Sequence, residues 1–140
     1  MGLYRKRGRR SLLQLALDNL GWSALIKGDH QRSVALFQES LELCKDLGDK
    51  RGGSESIEGL ACVAGAGGEA TRAARLFGVA EALREATGYQ LGTRARSRTE
   101  PYLAGARAQV DEAAWSAAWE KGRSMEFEDA VIYALEGPNG

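Results

Sequence analysis

Proline is scarce in this 140-residue chain, with only Pro101 and Pro138 present, so almost nothing interrupts a helix between the two termini. Cysteine is as rare. Cys44 and Cys62 stand 18 residues apart with no paired-ligand spacing around either. That pattern argues against a disulfide framework or a zinc site and suits small buried thiols in a reducing compartment. Histidine occurs once, as His30. No apolar run approaches the roughly 20 residues that a bilayer span requires. Net charge is absent too: nineteen basic residues balance nineteen acidic ones, which removes the global field that would draw the chain to nucleic acid or anionic lipid. A cytoplasmic location is the expectation by elimination, with no membrane partner, and nucleic acid is not the expected partner either.

What remains is rich in helix formers. Apolar residues make up 44% of the chain, enough to bury a core in one domain, and Ala, Leu, Glu and Arg recur throughout. The balanced charge hides a polarity. Arg5, Lys6, Arg7, Arg9 and Arg10 open the chain, whereas from Asp111 onward seven acidic residues face only Lys121 and Arg123.

Sliding the sequence over itself by 40 positions pairs Leu20 with Leu60, Ala24 with Ala64, Gly28 with Gly68, Arg32 with Arg72, Leu36 with Leu76, Phe37 with Phe77, Leu43 with Leu83 and Gly48 with Gly88. Each unit reads as two helices hinged at Gly28-Asp29 or Gly68-Glu69. In the first unit Ser11 and Gln14 form a candidate capping box, and Leu13, Ala16, Leu17, Leu20 and Ala24 are the expected buried stripe of a helix running to about residue 27. Asp29 is the expected cap of the second helix, which presents Val34, Phe37, Leu41 and Cys44 on one face and ends at Gly48. The second unit places helices near 54–66 and 69–87. Small residues at Gly21, Ala61, Ser33 and Ala73 would allow close helix approach around Phe37 and Phe77. Beyond Gly88 an arginine-rich link carries Arg94, Arg96 and Arg98. Three short helices follow, near 100–110 with Thr99 as cap and Pro101 in its first turn, 112–122, and 125–135, the last opened by Ser124 and closed by Gly137-Pro138. Trp115, Trp119, Phe127, Val131 and Leu135 are their expected core. The fold class is therefore all-α, about seven helices, organised as a basic arm over 1–10, two helix-pair repeats over 11–88 and a degenerate third repeat or helical cap over 89–140.

Leu20-Gly21 with Phe37, and Ala73, Phe77 and Ala80, resemble the tetratricopeptide pattern, although the closing proline is absent and the period exceeds the family's, which is about 34 residues. The run from Ala74 to Glu85, with Ala118-Trp119-Glu120-Lys121-Gly122-Arg123, is similar to the C-terminal repeat region of large bacterial LuxR-like, ATPase-type transcriptional regulators. The resemblance implies antiparallel hairpins stacked as a short α-solenoid, a scaffold piece of a larger regulator. It also implies a concave groove lined by the first helix of each unit. By position that groove nominates Asp18, Trp22 and Leu25 from the first unit and Glu55, Glu58 and Cys62 from the second. Trp22 is the expected exposed anchor for a protein or peptide partner, which could be another domain of the same parent protein. Self-association through the open ends of the stack is the alternative, and a small-molecule sensor ranks behind it.

Candidate chemistry is thin. Gly65-Ala66-Gly67-Gly68-Glu69-Ala70 satisfies a dinucleotide-binding spacing, but a helix precedes it where that motif needs a strand. His30 opens a helix without an arranged nucleophile or acid. The carboxylate pairs Glu39 with Glu42 and Glu126 with Asp129 share helix faces as most solvated acidic helices do. No catalytic residue, metal site or cofactor is expected, and the chain is not read as an enzyme.

Overall fold

A computed structural model describes the backbone of residues 2–136 and the side chains of residues 8–136; Gly137-Pro138, the expected terminator of the last helix, lies outside the described residues. Among the described residues there are seven helices and no strand: α1 (Gly2–Ile26), α2 (His30–Leu47), α3 (Lys50–Ala66), α4 (Ala70–Thr87), α5 (Thr93–Arg107), α6 (Glu112–Arg123) and α7 (Phe127–Leu135). None of them is long and apolar enough to cross a membrane.

The forty-residue duplication is a duplication of turns. Gly28, Gly48, Gly68 and Gly88 are the only described residues with positive φ, at 84°, 65°, 86° and 71°. Each ends one of the first four helices in the left-handed conformation that costs other residues a Cβ clash. The backbone bonds match from unit to unit. Asp29 N–H donates to Ala24 O and Glu69 N–H to Ala64 O, both at 2.8 Å, closing the orphan carbonyls of α1 and α3 in the same way. Asp29 caps α2 as expected, accepting from Arg32 N–H at 3.2 Å. Asp49 caps α3, accepting from Gly52 N–H at 2.9 Å, so α3 starts earlier than the apolar pattern indicated.

α1 and α2 form one antiparallel hairpin, α3 and α4 the second, and α2 packs on α3 to stack them. The Phe37 ring is held between Gly21 of α1 and Gly59 of α3, and a Cβ at either glycine would run into the ring carbons. Ser33 is fully buried because its hydroxyl donates to Gly21 O at 2.8 Å. Ala73 has no exposed surface, so Ala73→Leu is expected to overpack the core and cost about 1–3 kcal/mol in urea unfolding.

Several boundaries differ from the expectation. α1 continues back to Gly2, so residues 2–10 belong to a helix, and Ser11 lies inside it. The inward stripe of α1 is Gln14, Leu17, Asp18, Gly21, Trp22, Ala24 and Leu25, whereas Leu13, Ala16 and Leu20 face outward. This rotation carries Asp18 inward, where Ser56 Oγ of α3 donates to its carboxylate at 3.3 Å. α5 begins at Thr93 after Gly92, so Thr99 is not its cap, and the Thr99 hydroxyl is buried without a hydrogen-bond partner among the described residues. Pro101 sits within α5. Its missing N–H would have bonded the carbonyl of Ser97, and both residues lie on the exposed side of the helix. Ser124 ends α6, and Glu126 precedes α7.

The C-terminal helices do not repeat the hairpin. α6 packs along α4, α5 lies on α3 and the edge of α4, and α7 rests against α2, α4 and α3. α5 and α6 meet chiefly at their connecting turn, where Arg107 pairs with Glu112 at 2.7 Å and its guanidinium stands 5.9 Å from the Trp115 ring centre. Trp115 and Val131 are buried, and Trp119, Phe127 and Leu135 are half-buried against the same core.

Candidate interaction groove

The groove side of α1 and α3 is covered by the chain itself. Trp22 is only 6% exposed, not the open anchor expected. Its ring meets Phe37 edge-on at 5.7 Å and Tyr102 at 6.0 Å, and the Arg98 guanidinium of α5 lies 4.1 Å from its centre. Leu25, Glu58 and Cys62 are buried and Glu55 half-buried. α5 approaches closely at its far end because Gly65 has no side chain: a Cβ there would meet Ala106 Cβ at 2.7 Å. Gln109 Nε2 donates to Gly65 O at 2.8 Å, closing the end of the seat. Arg98, Tyr102 and Ala106 are spaced by four and so project from one face of α5, the geometry by which a helix docks in a groove.

The floor is acidic, with Glu58 buried and Glu55 half-buried. Burial pushes the Glu58 carboxyl up, opposed by Arg84 and by Arg98. Arg84 forks between Glu58 and Glu81 at 3.0 Å to each. Glu55 is raised by burial as well, with the positive charges of Arg51 and Arg98 working the other way. The Cys62 thiol is pushed well up, first by burial and then by the Glu58 charge, which leaves it an inert packing group. Arg98 thus supplies the one positive charge that acts on Glu55, Glu58 and Cys62 together.

Asp18 belongs to a different environment from the other five nominated residues. It points inward to α2 and α3, accepting from Gln14 Nε2 at 2.7 Å and from Ser56 Oγ at 3.3 Å. Ser40 Oγ lies 2.9 Å from Ser56 Oγ and also reaches the carbonyl of Gln14 at 3.3 Å. Burial pushes the Asp18 carboxyl up to about 7, with the charge of Glu55 adding and the bonds from Ser40, Ser56 and Gln14 subtracting. Cys44 beside this cluster is pushed up to about 12, by burial and the charges of Asp49 and Asp18.

No family model, curated protein or solved structure matches this chain. Other concave surfaces include a polar cleft of about 760 Å³ beside α5, lined by Glu58, Glu81, Arg84, Tyr89, Arg96 and Glu100 among others, one of about 460 Å³ between Glu69, Arg72, Gln109 and Tyr133, and one of about 300 Å³ between His30, Val34, Leu60, Val63 and Arg72. The Gly65–Ala70 segment is the turn from α3 into α4, with Gly68 left-handed and a helix on each side. Both cysteines are free and buried, and among the described residues no group of three or more His, Cys, Asp or Glu side chains is placed to hold a metal ion.

One surface was missed by the sequence reading. Leu12, Leu13, Leu15, Leu20 and Ile26 are exposed, five of the six large hydrophobic side chains found on the surface of the described residues, and all five are on α1. The available signal was that α1 is apolar on every side, a pattern that calls for partners on two faces.

Proposed function

We propose that the chain is a protein-interaction scaffold, a short tetratricopeptide-like stack within a larger cytoplasmic regulator of bacterial transcription or signalling. It holds a helical peptide or a neighbouring domain in the groove of α1 and α3, and it works by binding rather than by catalysis. The observation that supports this reading is the seating of α5: the groove takes a helix whose Arg, aromatic and small residues repeat at four-residue spacing, on a floor of Trp22, Glu55, Glu58 and Gly65. A partner fits to the extent that it reproduces that pattern when α5 is out of the seat.

A labelled peptide of residues 93–107, added to the full chain carrying Arg98→Ala and Tyr102→Ala, tests it. Saturable binding by fluorescence anisotropy is expected, weakening at least about tenfold when Trp22→Ala removes the aromatic anchor. A peptide that never binds, or binds equally well without Trp22, overturns the groove assignment.

A further inference from the structure

The outward face of α1 adjoins the groove side, about a third of a turn round the helix from Asp18, Trp22 and Leu25, and it carries five exposed large apolar side chains. Leu12 and Ile26 are 69% and 70% exposed, and Leu13, Leu15 and Leu20 about half exposed. Together these side chains leave roughly 500 Å² of apolar surface open, at the top of the range that monomers tolerate. Two such faces pressed together reach the roughly 1,000 Å² at which specific interfaces begin.

The spacing is self-complementary. Leu12, Ala16, Asn19, Ser23 and Ile26 alternate at four and three residues along this face, the seam of a paired helix, and Asn19 is its midpoint. Leu12 lies seven residues before Asn19 and Ile26 seven after. Arg9 lies ten before and Asp29 ten after, both exposed. An antiparallel pair of α1 helices centred on Asn19 therefore sets each Leu12 against the other copy's Ile26, and brings Arg9 of one helix beside Asp29 of the other. A parallel pair would instead place the Arg9-Arg10 ends side by side.

We propose that the chain forms a twofold homodimer through antiparallel α1 helices, with Asn19 of each copy meeting at the axis and fixing the register. This interface is independent of the groove and of what the groove holds. Variants of the full chain with one added cysteine test it, since the native Cys44 and Cys62 are buried. With oxidised glutathione, Asn19→Cys is expected to give a disulfide-linked dimer, because residues at the axis come within the reach of a bridge. Ser23→Cys is expected not to, because that position and its mate stand about 12 Å apart along the antiparallel pair. Cross-linking of both variants would overturn the antiparallel register. Sedimentation of the unmodified chain should show a dimer, and Leu15→Glu with Leu20→Glu should weaken it at least about a hundredfold while circular dichroism is unchanged. A chain that stays monomeric at high concentration and cross-links at neither position overturns the proposal and leaves the peptide experiment on the groove unaffected.

Discussion

Gly122→Ala is expected to lower the stability of the chain by at least about 3 kcal/mol, a fall of roughly 10 °C in the thermal midpoint for a chain of this size. α4 and α6 cross backbone to backbone. A methyl group on Gly122 would drive into the carbonyl oxygen of Arg75, and one on Gly78 into the carbonyl oxygen of Trp119. Neither obstacle is a side chain that can swing away, so the helices must separate and the packing around Trp115 and Phe77, whose rings lie 6.3 Å apart, must loosen. Helix propensity alone predicts the opposite sign, since alanine is favoured over glycine inside a helix by about 1 kcal/mol. Gly105 supplies the control. It lies within α5 with open space where its Cβ would be, so Gly105→Ala should gain about 0.5–1 kcal/mol. Calorimetry of the two variants separates the contributions, and a stabilised Gly122→Ala would mean that α4 and α6 do not cross at this point.

Asp18 should make the fold less stable as pH rises. Its carboxyl is pushed up to about 7 from 3.8, so between those values the folded chain holds a proton that the unfolded chain has released. The stabilisation is complete below about pH 4 and is lost as pH climbs through about 7. The difference is worth roughly 4 kcal/mol at the alkaline end. Glu55 and Glu58, both raised by burial, push the same way. Asp18→Asn keeps the shape, with the amide oxygen able to accept from Gln14 and the amide nitrogen able to donate to Ser56. The variant should be more stable than the parent by a few kcal/mol at pH 8, by roughly 1–2 kcal/mol at pH 5, and little different below about pH 4. Urea midpoints at three pH values decide it, and parallel profiles for the two chains would assign the titration to another group.

The turns were legible because each has a local cause. A glycine at positions 28, 48, 68 and 88 announces a left-handed helix end, and Asp29 announces the following cap, whatever the rest of the chain does. The rotation of α1 was not legible. Its apolar residues surround the helix, so periodicity could not choose a face, and the choice was made by Gln14 and Asp18 bonding to Ser40 and Ser56 from other helices. Trp22 was expected to be an exposed anchor, and its cover by α5 was invisible in the sequence. Pro101 suggested a helix beginning near residue 100, which assigned Arg98 to a linker and left nothing to lie over the tryptophan. Gly78 and Gly122 carried a signal of another kind: a glycine costs stability in mid-helix and so implies a close contact, but it does not say with what.

The residues that join α5 to its neighbours, 88–92 before it and 108–111 after it, are short, and they keep Arg98, Tyr102 and Ala106 beside the groove at all times. A ligand tethered in this way competes at an effective concentration of about 1 mM. A free helix of equal intrinsic fit, present at about 1 μM, would hold the seat for only about a thousandth of the time. On the proposed reading, occupancy by an outside molecule would demand either a far better fit than α5 achieves or delivery on a tether of its own, and selection would then turn on local abundance as much as on shape.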